Sequence, residues 1–187
     1  MNKEAYSMLL SSERSVLIVV DVQQRLMPAV HGHERLIHNV GVLLQAAGHL
    51  GVPAMASEQY SKGLGRTVDP VRDRLSPDSI IEKIHFSAAC EPAFMERLNG
   101  YGRDQMVVCG SEAHVCVLQT VLGLRALGHA VHLVADATSS RDPANAEAAI
   151  ARMRGNGVEI VTTEMVVFEW LHRADIPAFK AVSALIK

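Results

Sequence analysis

Three residue types able to do covalent or proton-transfer chemistry stand where apolar runs give way to turns. Cys116 follows the run Met106 to Cys109 after a short turn and precedes a helical pattern carried by Val117, Val121 and Leu124. Unpaired N–H groups and the helix dipole at such a position favour a thiolate, so a reactive nucleophile is one reading. A buried structural cysteine is the other, and it is the preferred reading for Cys109 inside its run and for Cys90. Asp21 directly follows Val16 to Val20, where a lone carboxylate caps the next turn as readily as it moves a proton. Lys83, near the end of Ile80 to Ile84, is by itself equally an edge residue with a snorkelling stem.

The elements that must position these groups are legible in the hydrophobic pattern. Val16 to Val20, Met106 to Cys109 and Val131 to Ala135 are short and rich in Val, Leu and Ile, as strands covered on both faces are. Further strands are expected at Val52 to Ala56, Ile80 to Ile84 and Val158 to Thr162. Between them, Ile37, Val40, Leu44, Ala47 and Leu50 recur at helical spacing within Leu36 to Leu50. Helices are also expected near Glu91 to Leu98, Ala144 to Arg154 and Pro177 to Ile186. Gly51, Gly128 and Gly157 stand where a helix stops before the next strand. Ser57 to Ser79 has no clear periodicity and reads as a long loop over the site. The alternation predicts a doubly wound α/β fold, a Rossmann-like three-layer sandwich with a mainly parallel six-stranded sheet. Ligands of such sheets bind at the carboxyl ends of the strands, where Asp21, Lys83 and Cys116 fall.

The 187 residues, 49% hydrophobic and 20% charged, suffice for one well-buried core, so a single domain over residues 1–187 is expected. A formal charge of -2 without a dense Lys/Arg run excludes nucleic acid and anionic membrane as principal partners and leaves a small molecule or another protein. At the N-terminus Met8 to Leu10 is too short an apolar patch for a signal peptide, and Glu13 and Arg14 interrupt it. Cys90, Cys109 and Cys116 form no CxxC pair and leave an odd thiol, which suits a reducing, cytoplasmic compartment.

The segments VLIVVDVQ, EKIHFSA and VVCGSEAHVCVLQTVLGLRALGHAVHLVADATSSR, in that order, resemble the isochorismatase-like cysteine hydrolases over residues 16–162. The stretch from Gly110 to Thr120 looks like the nucleophile turn of that family. The resemblance places the family's Asp, Lys and Cys on Asp21, Lys83 and Cys116. It implies that Asp21 accepts the thiol proton while the Lys83 ammonium lowers the thiol pKa, giving a thiolate at neutral pH. It also implies a cis peptide at Ser111-Glu112 and an oxyanion hole from the backbone N–H groups of Glu112 and Cys116. The reaction implied is hydrolysis of a C–N bond in a small amide, imide or carbamoyl compound through a thioester. No cofactor is called for, and a homo-oligomer is expected. The vinyl-ether cleavage of isochorismate is run by members without the cysteine, so Cys116 argues against it here.

Metal-binding members of the superfamily carry an Asp-x-His element and a further His after the second strand, where this chain reads ASEQYSKGLGRT. No metal site is therefore expected. His31, His33 and His38 have ligand-like spacing, yet their charged flanks favour a solvated helix start. Gln23, Gln59, Phe86 and His114 are the expected substrate-binding residues, with Leu26 and Tyr60 divided between wall and core packing. Asp136 reads as a structural cap. Two other readings keep the scaffold and change the function: a non-catalytic binding protein, and a thiol redox protein using Cys109 and Cys116.

Overall fold

A computed structural model describes residues 8–186, so the N-terminal stretch read above as unlike a signal peptide lies in part outside the described residues. Six strands form one sheet in the spatial order β3-β2-β1-β4-β5-β6, and every pairing is parallel rather than mainly so. They are β1 (Ser15–Val20), β2 (Ala54–Gln59), β3 (Ile80–Lys83), β4 (Gln105–Ser111), β5 (Ala130–Ser139) and β6 (Glu159–Val161). The reason is visible in β1, whose residues are all buried: Val16, Ile18 and Val20 enter one core while Leu17 and Val19 enter the other. A strand covered on both faces has no solvent side to alternate with, and its β-branched residues favour the extended backbone.

Eight α-helices accompany the sheet among the described residues, besides short 3-10 and π turns: α1 (His33–Leu50), α2 (Ser61–Leu64), α3 (Asp69–Arg72), α4 (Pro92–Gly100), α5 (Leu118–Ala126), α6 (Pro143–Gly155), α7 (Thr163–Leu171) and α8 (Phe179–Ser183). Helices α1, α7 and α8 pack on one face of the sheet, and α4, α5 and α6 on the other. Helix α1 buries Leu36, Val40, Leu43 and Leu44, each contributing about 1.5–3 kcal/mol by removal from water. Its buried stripe is rotated from the expected one, since Ile37 and Leu50 are only partly buried. No helix among the described residues is long and apolar enough to cross a membrane.

Two expectations need correction. Strand β2 begins later than Val52, because the Val52 N–H is drawn back to Ala47 O at the end of α1, and it runs on to Gln59. The expected loop from Ser57 therefore starts only after Gln59, and it contains α2 and α3. Strand β5 continues past Ala135, which puts Asp136 inside a bulged stretch of strand rather than at its end. Its cap role survives in another form: Oδ1 accepts from the Thr163 N–H at 2.8 Å and the Thr163 hydroxyl at 3.0 Å, at the start of α7. Helix α7 had no counterpart in the sequence reading. Its signal was present in the Thr162 cap on Met165 N and in the buried stripe Val166, Val167, Trp170 and Leu171.

Close approach of β1 and β4 depends on Gly110, which has φ +120 and whose added Cβ would lie 2.1 Å from Val20 O. The obstruction is backbone, which cannot swing aside. Gly110→Ala is expected to destabilise the protein by about 3 kcal/mol or more, combining clash with a disfavoured φ. Urea unfolding measures this, and an unchanged midpoint would contradict the packing described.

Candidate active site

The strand order reverses between β1 and β4, and in open parallel sheets ligands bind at the carboxyl ends of the strands at such a reversal. Asp21 follows β1 directly with φ 50, a left-handed backbone that Asp tolerates better than most residues. Cys116 lies beyond β4 in a single π-helical turn, Ala113–Val117, that leads into α5. Turns of this kind are rare and concentrate at functional sites. The Ser111-Glu112 peptide before it is cis. Lys83 is the last residue of β3, two strands from β1, and its stem carries the ammonium back across β2.

These three side chains meet in the interior: Asp21 is 0% exposed, Lys83 1% and Cys116 7%. Lys83 Nζ lies 2.8 Å from Asp21 Oδ2. Both groups are buried, so this is an ion pair shielded from water. Between two buried charges at this distance the Coulomb attraction dominates whatever the angle. The other carboxylate oxygen accepts from the Ser57 hydroxyl at 2.6 Å. The Cys116 thiol interacts with both the Asp21 carboxylate and the Lys83 ammonium.

Electrostatics oppose the expectation of a resting thiolate. Burial pushes the Cys116 thiol up to about 12, the Asp21 charge adds to the rise, and the Lys83 ammonium opposes it without prevailing. Burial likewise raises the Asp21 carboxyl, against the pull of Lys83 and of hydrogen bonds from Ser57 and Cys116. The upward shift of Cys116 favours the protonated thiol in the resting site. A buried carboxylate of raised basicity stands next to it, and the pair can exchange that proton without changing the net charge of the site. Cys109 is fully buried inside β4, and burial drives its thiol far above the usual range. Its sulfur points to Ile18 O at 3.7 Å, away from any role as a redox partner of Cys116.

The expected substrate-binding residues divide. Gln23 is completely buried, and its amide is used up by backbone groups: Oε1 accepts from Gln59 N, while Nε2 donates to Gln59 O and Gly65 O. It is a strut beneath the site rather than a wall of it. Gln59 donates from Nε2 to Ile84 O and offers Oε1 to Lys83 Nζ at 2.6 Å, so its amide positions the lysine. Phe86 is 53% exposed at the rim, with its carbonyl accepting from Lys83 Nζ at 3.1 Å. His114 is half-buried, with Nδ1 2.9 Å from Ser140 Oγ. Leu26 packs against the core, whereas Tyr60 stands on the rim, 52% exposed. A cavity of about 350 Å³ is lined by Tyr60, Lys62, Glu82, Lys83, Ile84 and Glu91, and not by Asp21 or Cys116. It is large enough for a small molecule.

The sequence reading missed Ser57 and Arg141. Ser57 had been assigned to a loop, and only the true register of β2 brings it level with Val20 and so beside Asp21. Arg141 grips the Glu112 carboxylate with two hydrogen bonds of 2.8 and 2.9 Å, holding that carboxyl below its ordinary range. Its position after Ser140 carried no local signal. The Glu112 backbone N–H, by contrast, donates to no acceptor among the described residues. Of the histidine cluster, His33 lies with Nδ1 3.2 Å from Val30 O at the start of α1. Among the described residues no three His, Cys, Asp or Glu side chains are grouped to hold a metal ion.

Comparison with known proteins agrees with this architecture. Residues 15–165 match the model of the isochorismatase domain. The chain is 37% identical to the secreted isochorismatase effector Isc1 of Phytophthora sojae, over 92% of this chain and 84% of that protein. It is 36% identical to isochorismatase domain-containing protein 2 of Danio rerio, over 95% of this chain and 89% of that one. A solved structure described as the MAR1 ribonuclease of Caenorhabditis elegans superimposes with a TM-score of 0.90 at 34% identity, covering 95% of this chain and 92% of that one. The parallel sheet, the strand reversal at β1 and β4 and a domain match over most of the chain lead to one conclusion: this chain belongs to the isochorismatase family of hydrolases.

Proposed function

We propose that the chain is a cysteine hydrolase that cleaves the C–N bond of a small amide, imide or carbamoyl compound through a thioester on Cys116. The observation that carries this reading is the interaction of one thiol with both a buried carboxylate and a buried ammonium at the carboxyl ends of the strands. Asp21 takes the thiol proton as Sγ attacks the substrate carbonyl carbon. The C–O π electrons move onto oxygen, and the backbone N–H groups of Glu112 and Cys116 receive the oxyanion. Collapse breaks the C–N bond, and the proton on Asp21 goes to the departing nitrogen. Water then attacks the thioester, returns a proton to Asp21 and releases the acid, and the carboxyl proton restores the thiol.

Lys83 remains a cation throughout. Its three N–H donors face Gln59 Oε1, His85 O and Phe86 O besides Asp21, an arrangement that suits an ammonium and not a neutral amine. The ammonium lowers the cost of negative charge on sulfur. Nothing in these steps calls for a metal, and the homo-oligomer implied by the resemblance is part of the same proposal. The chain's charge of -2 gives no electrostatic support for a nucleic-acid substrate, whatever the description of its nematode relative.

Intact-mass spectrometry after incubation with a pooled library of small amides tests the reading. The expected result is an acyl adduct on Cys116 together with ammonia or amine release that persists in a chelator. Turnover without an adduct on any time scale, or turnover lost to chelation and restored by zinc or manganese, would overturn it.

A further inference from the structure

Lys83 can reach Asp21 only because the chain after β3 turns sharply inward, and β3 itself supplies no reason for that turn. The ammonium is held by three oxygens besides the carboxylate, and two of these, His85 O and Phe86 O, belong to the turn. The third, Gln59 Oε1, is oriented by a bond from Gln59 Nε2 to Ile84 O, in the same turn. Every carbonyl of Ile84, His85 and Phe86 is thus committed to the lysine or to the residue that holds it. The shape of the turn sets where the positive charge sits.

The N–H side of this turn is held by a single atom. Glu91 Oε1 accepts from Ile84 N at 2.9 Å, from His85 N at 3.0 Å and lies 2.9 Å from His85 Nδ1. Glu91 occupies the N-cap position of α4, where a side chain ordinarily bonds to its own helix. It makes no such bond, and Pro92 at the first helical position removes one of the donors it would otherwise serve. The carboxylate is instead turned back across Ser87 to Cys90 onto the turn after β3. These bonds, that of the His85 N–H foremost, hold its carboxyl below the ordinary range, so it stays ionised and accepting at neutral pH.

We infer that Glu91 is a positioning residue for the reaction, fixing the Ile84–Phe86 turn so that its carbonyls hold the Lys83 ammonium against Cys116 and Asp21. This rests on the reading of Cys116 as the nucleophile. It acts through geometry and not through its own charge, and the two have opposite signs. Removing a negative charge near the thiol would lower the thiol pKa, whereas releasing the turn moves the ammonium away and raises it.

The test is the rate of iodoacetamide alkylation of Cys116 between pH 7 and 9, read on its own peptide by mass spectrometry in the intact protein. Wild type is compared with Glu91→Ala, Glu91→Gln and Lys83→Met. Below the thiol pKa the rate follows the thiolate fraction, so each unit of rise slows alkylation about tenfold. Glu91→Ala is expected to slow it about threefold to tenfold, in the same direction as Lys83→Met. Glu91→Gln, which keeps the oxygen acceptor and loses the charge, is expected to stay within about twofold of wild type. A melting curve for each variant separates unfolding from this effect, and the glutamine variant carries the comparison if the alanine variant does not fold. In that case a glutamine variant slowed as strongly as Lys83→Met overturns the inference, and one within about twofold of wild type supports it. If Lys83→Met slows alkylation and a folded Glu91→Ala does not, the positioning role of Glu91 is wrong and the nucleophile reading stands. If Lys83→Met changes nothing, the nucleophile reading itself fails.

Discussion

Cys116→Ala is expected to abolish turnover, by at least about ten-thousand-fold, because it removes the thiol beside Asp21 and Lys83 on which the thioester forms. The fold should survive. The residue sits in the turn between β4 and α5 rather than at the centre of either core, and losing one sulfur atom from a nearly closed site costs about 1–2 kcal/mol. Steady-state assay and urea unfolding measured on the same preparation separate the two effects. Residual activity within tenfold of wild type in a folded variant would mean that the reaction does not pass through sulfur.

Asp21→Asn and Lys83→Met should split the titration of the thiol from turnover. In the wild type the Cys116 thiol lies at about 12, raised by burial and by the Asp21 charge and lowered by Lys83. Asparagine leaves the burial and the ammonium and removes the negative charge, so the thiol pKa should fall and alkylation near pH 7 should quicken. Turnover should nevertheless drop by about a hundredfold to ten-thousand-fold, since the group that carries the proton to the leaving nitrogen is gone. Methionine keeps most of the lysine stem and removes its charge, so the thiol pKa should rise and alkylation and turnover should fall together. It also leaves the Asp21 carboxylate buried without its partner, and a loss of stability of about 3–5 kcal/mol accompanies the change. The effects of the two substitutions on turnover should be far from additive, because both act on one proton transfer. Faster turnover in Asp21→Asn would show that the carboxylate is an obstacle to the thiolate and not its base.

The expectation of a neutral-pH thiolate meets an opposing effect of a kind that applies to any such chain. Position near a helix start is local and can be read from Cys116 and its neighbours. The titration of its thiol is a sum over burial, Asp21 and Lys83, contributed by segments far apart in the chain, and burial is the largest of them. The same division explains Gln23 and Gln59. Their types and their places at strand ends were legible, but whether an amide faces a ligand or the backbone depends on what lies opposite it. For Gln23 that is Gly65 and Gln59, brought there by the path of the segment after β2.

What the amino-acid order determined by itself was the alternation of strands and helices, since burial on two faces or on one stripe leaves its period in the residues. Val16 to Val20 reads as a covered strand and is one, and Gly51, with φ 67, ends α1 where the reading placed its stop. It also determined that a carboxylate, an ammonium and a thiol stand at the ends of such elements. Only the tertiary structure decided that they meet. The order β3-β2-β1 puts Lys83 two strands from Asp21, and the gap closes through a turn held by Glu91, a residue the sequence places only at the start of a helix. Local pattern encodes how each element hides its apolar face. Which polar groups then face one another is set by strand order and register, and these depend on the packing of the whole chain.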